Sequence, residues 1–155
     1  AAMSAVTALQ PTKLQYGLRF AVSEGVLLAR LPSGRRLCYF NPRIGTNRLG
    51  NQSLLYDGMD QTTRKWGPKE TYGGKLVENI IQAIARDCLA ESMLRLAKTG
   101  FDIVGHVHDE VILDVPISSE CALEEACGIM GQPLSWAPGL LLRADGFETD
   151  YYRKD

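Results

Sequence analysis

The chain has 155 residues, 45% of them hydrophobic and 23% charged, proportions of an ordinary globular domain that exclude a disordered chain. No stretch approaches the roughly 20 apolar residues needed to span a bilayer, and Ala1 to Gln10 lack the basic start and long apolar run of a signal peptide, so a soluble, cytoplasmic protein with no membrane partner is expected. The net charge of -1 conceals an asymmetry: residues 1–75 hold 11 basic and 4 acidic side chains, a balance of +7, whereas residues 76–155 hold 6 and 14, a balance of -8.

A basic surface of Arg30, Arg35, Arg36, Arg43, Arg48, Arg64, Lys65 and Lys69 suits a polyanion, and the acidic half suits divalent cations. Solvated charge that pairs across the fold accounts for the same counts. The cysteines Cys38, Cys88, Cys121 and Cys127 have no CxxC spacing and sit in apolar patterns, which predicts buried thiols of a reducing compartment.

In chain order, Ala1 to Gln10 predict a short helix ending at Pro11. Tyr16 to Phe40 alternates β-favouring runs with turn signals. Gly25 precedes Val26 to Leu31, and Pro32-Ser33-Gly34 precedes Arg35 to Phe40, a hairpin signature with arginines beside its tip. Asn41 to Gly50 is rich in Pro, Gly and Asn and predicts a loop, followed by short strands at Ser53 to Tyr56 and Thr62 to Trp66. Gly73 to Thr99 gives the strongest helical signal, with Gly100 placed to stop it. A β-hairpin over Ile103 to Val115, an amphipathic helix near Ser119 to Met130 and a strand near Leu140 to Ala144 complete the chain. There are no repeats, linkers or low-complexity tracts.

At about 100° per residue, the polar stripe of the long helix changes direction halfway along. Lys75, Glu78, Asn79, Gln82 and Arg86 cluster on one side of its first half, a side that carries Leu89, Met93, Leu96 and Ala97 further on. Either the helix crosses between layers, or its first polar stripe lines a groove for a ligand. The amides of Asn79 and Gln82 suit the minor groove of a duplex, where every base pair offers acceptors. A solvated helix face is the simpler account of the same stripe.

In Val104 to Val111, VGHVHDEV, two apolar strands meet at a turn holding His108, Asp109 and Glu110 without the Gly or Asn that tight hairpins prefer. Adjacent carboxylates at the end of a rigid element are costly unless a cation compensates. Mg2+ commonly takes one or two carboxylates, with water and substrate phosphates filling its octahedron, so the pattern suits metal-assisted phosphoryl transfer. A solvent-facing polar tip is the bland alternative. Zinc on His106, His108 and Asp109 is the weaker one, because no further ligand pattern completes a tetrahedral set. No serine or cysteine nucleophile has a local signature.

His108-Asp109-Glu110 between apolar strands resembles motif C of family A DNA polymerases, and Gln82 and Asp87 precede it at the spacing of that family's palm helix. The string TYGGKLVENIIQAIARD, Thr71 to Asp87, the LPSGR hairpin and the YRKD ending are similar to the phage branch, and the resemblance covers about Val26 to Asp155. It implies an α+β fold: a palm-like antiparallel sheet carrying the motif C hairpin, with the long helix packed on it. The expected organisation is one C-terminal polymerase fragment, with a basic β-rich segment over 1–70 and a palm segment over 71–155.

By the same resemblance Asp109 is a catalytic metal ligand and Glu110 its supporting acidic neighbour, both serving Mg2+. His108 positions the primer terminus. Gln82, with Glu78, Asn79 and Lys75, contacts the primer-template duplex, and Arg35, Arg36 and Lys69 are phosphate-contact candidates by charge. The implied reaction is attack by a primer 3′-hydroxyl on the α-phosphate of a deoxynucleoside triphosphate, aided by two metals. No motif A aspartate and no motif B helix are recognisable, and Gln15-Tyr16-Gly17 only weakly resembles a motif B ending. The two-metal site is thus expected to be incomplete, the fragment inactive alone, and self-association through uncovered surface conceivable. A noncatalytic nucleic-acid binding module and a small metal-dependent phosphodiesterase are the rival readings.

Overall fold

The computed structural model describes residues 1–47 and 49–152. Arg48 and the Arg153-Lys154-Asp155 part of the YRKD ending lie outside the described residues. The fold is mixed α and β, with an antiparallel sheet and one long helix. The chain divides into two compact units, Ala1–Ile84 and Ala85–Asp155, with the division inside the long helix.

In the first unit, helix α1 (Ala2–Ala8) precedes six strands: β1 (Thr12–Lys13), β2 (Arg19–Ser23), β3 (Val26–Arg30), β4 (Arg36–Thr46), β5 (Gln52–Met59) and β6 (Trp66–Thr71). Every strand pairs antiparallel with its sequence neighbour, giving the order β1-β2-β3-β4-β5-β6. Glu24 and Gly25, both with positive φ, join β2 to β3 as in the two-residue hairpins whose twist matches the strands. Alternation buries one face, where Ala5, Phe20, Leu27, Ala29, Tyr39 and Leu54 form a core with Leu76, Ile80 and Ala83 of the helix α2 (Gly73–Lys98).

Three expectations fail here. Asn41 to Thr46 is not a loop but the second half of β4, and a register shift between Phe40 and Arg43 accommodates Asn41 and Pro42. The strand expected at Thr62 to Trp66 begins only at Trp66. The Asp60 carboxylate accepts hydrogen bonds from the backbone N–H groups of Thr62 and Thr63 at 3.1 and 2.8 Å, holding those residues in a turn. Pro68 is tolerated within β6 because β6 is an edge strand. The cysteines are also not buried as expected: Cys38 and Cys121 are exposed, and Cys88 and Cys127 half-buried.

In the second unit the rest of α2 buries a new stripe, Leu89, Ser92 and Leu96. Gly100, with φ 95°, ends the helix as expected. Its N–H bonds to the Ala97 carbonyl and that of Phe101 to the Leu96 carbonyl, while Phe101 packs on Leu96, the pattern of a glycine-terminated helix. Strands β7 (Asp102–Val107) and β8 (Glu110–Asp114) form the expected hairpin. The expectation of one sheet carrying this hairpin fails: β7 and β8 form a two-stranded sheet of their own. Its apolar face, Ile103, Val111 and Leu113, packs with Leu96 and with Ala126 and Ile129 of α3 (Ala122–Met130). Leu140 to Ala144 forms no strand, because no neighbouring edge pairs with it among the described residues.

Candidate functional site

His108 and Asp109 form the two-residue turn between β7 and β8, closed by the Val107 and Glu110 pair. His108 adopts φ 52°, a left-handed conformation that costs a residue with a Cβ but is enriched for histidine over bulkier types. His108, Asp109 and Glu110 are all exposed. A register shift between Ile103 and Gly105 inserts one residue into β7, so His106 falls on the same hairpin face as Ile103, opposite Val111. There Nη2 of Arg86 lies 3.4 Å from Nε2 of His106. Arginine can only donate, so this contact needs a neutral imidazole with its lone pair on Nε2.

Asp109 and Glu110 are adjacent acceptors at one tip, enough for an Mg2+ ion held by one or two carboxylates and completed by substrate phosphates and water. Among the described residues no group of three or more His, Cys, Asp or Glu side chains could hold a metal ion. That speaks against the alternative of a self-contained zinc site on His106, His108 and Asp109. Nor do the acidic residues of the second half, among the described residues, form a group that could hold a metal ion. Asp102 and Asp114, paired at the base of the hairpin, line with Glu120 and Glu125 an open hollow of about 710 Å³.

The other candidate residues occupy several surroundings. On α2, Lys75 and Glu78 form an ion pair at 3.0 Å, and Gln82 is exposed. Asn79 is half-buried and donates to the Tyr39 hydroxyl at 3.4 Å. Burial pushes the Tyr39 phenol above its ordinary pKa, and the Asn79 hydrogen bond partly offsets this. Arg35 donates to the Ala83 carbonyl at 2.7 Å. Lys69 donates to the Met59 carbonyl at 3.1 Å and lies 3.6 Å from the Asp60 carboxylate. Arg43 pairs with Asp57 at 3.0 Å. Asp57 also accepts from Asn41, and these two partners, Asn41 foremost, hold its carboxyl below the ordinary range.

Strand pairing also joins Arg30 and Arg36, which the charge count names, to Lys13 and Arg19, which sequence reasoning missed. Lys13 lies opposite Arg19, Arg19 opposite Arg30, and Arg30 opposite Arg36. The signal lay in the Glu24-Gly25 turn, which fixes the register of Arg19 against Arg30. In the sequence Arg86 belongs only to a polar stripe, and its proximity to His106 depends on tertiary folding.

Over its whole length the chain is 53% identical to the DNA polymerase of Bacillus phage SP02 and spans 24% of the length of that protein. The similarity to a phage DNA polymerase implied by the motifs is thus found along the entire chain. No family model and no solved structure matches the chain. No helix among the described residues is long and apolar enough to cross a membrane.

Proposed function

From this kinship we propose that the chain is part of a family A DNA-directed DNA polymerase, which adds deoxynucleotides to a primer 3′ end on a DNA template. The observation that carries the reading is the pair of exposed carboxylates, Asp109 and Glu110, at the turn of a short hairpin in a chain so similar to a polymerase. Asp109 and Glu110 are the residues that would hold Mg2+, which when bound lowers the charge barrier to phosphoryl transfer. The hairpin ladder and the apolar packing of Ile103, Val111 and Leu113 keep the carboxylates at a defined point, so little entropy is lost in aligning them. His108 steadies the primer terminus beside them. Gln82 presents its amide to minor-groove acceptors shared by all base pairs, a contact that senses pair geometry rather than sequence. These carboxylates are one side of the catalytic set, and the remainder is contributed by portions of the polymerase other than this one.

The test is Asp109→Ala in the full-length parent. Incorporation should fall by about three orders of magnitude or more, the scale of losing a principal transition-state contact, while primer-template affinity stays within about twofold of wild type. The 155-residue chain alone should incorporate nothing. Near-normal extension by the variant parent, or extension by the isolated chain that Asp109→Ala abolishes, would each overturn the assignment.

A further inference from the structure

We propose that the solvent face of the six-stranded sheet binds a single DNA strand, with Lys13, Arg19, Arg30 and Arg36 on its phosphates and the Phe40–Trp66 ring pair against its bases. The four cations sit directly opposite one another on four adjacent strands, and directly paired residues share a sheet face. Since Phe20, Ala29 and Leu37 alternate with them and belong to the core or pack against it, the cations lie on the opposite, exposed face. Neighbouring strands are about 4.8 Å apart, so the row extends about 14 Å, roughly four phosphates at the 3.4 Å rise of a duplex strand.

Like charges placed directly opposite destabilise a sheet, and among the described residues none of these four has an ion-pair partner. A polyanion would relieve that repulsion. The same face carries a second, independent feature. Phe40 and Trp66 are 46% and 58% exposed, yet their rings contact each other, with centroids 5.7 Å apart. Phe40 lies opposite Asp57 and Trp66 opposite Met59, which places both rings on the exposed face with Arg36, four residues before Phe40 on β4. Exposed aromatic rings on the same face as a cationic track, here about 13 Å along β4 from Arg36, are the combination that holds unpaired nucleic-acid bases, whose faces a duplex keeps stacked. An apolar protein partner would cover the rings but leave the four cations desolvated and uncompensated.

The surface lies wholly in the first unit and uses neither Asp109 nor a metal; it rests on the polymerase reading only for the choice of DNA as the strand. In the full 155-residue chain, Trp136→Phe leaves Trp66 as the single tryptophan reporter. Titration with labelled oligothymidylate should quench Trp66 emission and give anisotropy whose affinity falls with salt. Arg19→Gln/Arg30→Gln/Arg36→Gln should weaken binding at least about tenfold and lower the logarithmic salt slope by about 2, the single-strand value for three lost contacts. Its melting temperature without DNA should be no lower than that of wild type, because repulsion has been removed. Lys13→Gln/Arg19→Gln supplies a second, milder variant with a proportionate slope change. Asp109→Ala should leave this binding unchanged, so failure here and failure of the catalytic assignment are separable. Wild-type affinity and slope in both charge variants would overturn the proposal. So would unchanged Trp66 emission at saturation, or equal affinity for oligothymidylate and heparin without quenching.

Discussion

The guanidinium of Arg35 donates a 2.7 Å hydrogen bond to the backbone carbonyl of Ala83 on α2, whereas Arg36, the next residue, lies opposite Arg30 on the exposed sheet face. Two adjacent arginines that a charge count treats alike therefore have different surroundings. Arg35→Ala should lower the stability of the chain by about 1 kcal/mol, a charged hydrogen bond discounted for exposure, with oligothymidylate affinity changed less than twofold. Arg36→Ala should do the reverse. Urea unfolding and anisotropy on the same preparations check the pair, and indistinguishable profiles would contradict the distinction.

On α2, Asn79 and Gln82 divide in the same manner. Asn79 is engaged with the Tyr39 hydroxyl, and Gln82 is exposed. In the full-length parent, Gln82→Ala should slow extension roughly fivefold, about one hydrogen bond, and most from a mismatched primer end, with little dependence on template sequence. Asn79→Ala should instead show its main effect in thermal unfolding. Single-turnover extension from matched and mismatched primers decides the first claim, and equal effects of the variant on both ends would sink it.

Acid should loosen the first unit through Asp57. Its carboxyl is held below the ordinary value of 3.8 by hydrogen bonds from Asn41 and then Arg43. A lowered pKa in the folded state means that the stabilisation is present above the unfolded value and is lost as pH falls through the folded one. Stability should therefore decline from about the ordinary carboxylate value downward. Asp57→Asn should flatten part of that decline, the remainder belonging to Asp60, whose carboxyl is lowered chiefly by the Thr63 backbone N–H. Urea midpoints measured across the acid range for both proteins are the check. A wild-type acid slope in the variant would refute the contribution.

What the sequence disclosed and what it withheld follow from the range of the interactions. The long helix, its stop at Gly100, and the hairpin with His108, Asp109 and Glu110 were legible because helical periodicity, a glycine stop and two apolar runs flanking a polar break are local signals. Asn41 and Pro42 were misread because a bulge lets a strand absorb residues that ordinarily end one. Pro68 and the Asp60 turn displaced β6 for a similar reason, since edge position is decided by the whole sheet. The separate hairpin sheet and the row from Lys13 to Arg36 needed strand register, which no single segment encodes. Of the candidate residues, those on the tip were legible as a group. The engagements of Arg35, Lys69 and Asn79 were not, because their partners lie up to 48 residues away.

Because each strand of the large sheet pairs with the one just before it in sequence, the sheet can be laid down in the order in which the chain is synthesised. Each newly exposed edge is closed after a short loop search, the circumstance that makes assembly rapid. At no stage does an earlier strand need to wait for a distant partner, which shortens the interval in which an open edge can capture another molecule. The last strand, β6, contains Pro68, with one backbone donor fewer to offer an incoming strand. The sheet thus carries its own stop to growth, and translation speed should matter little to its yield.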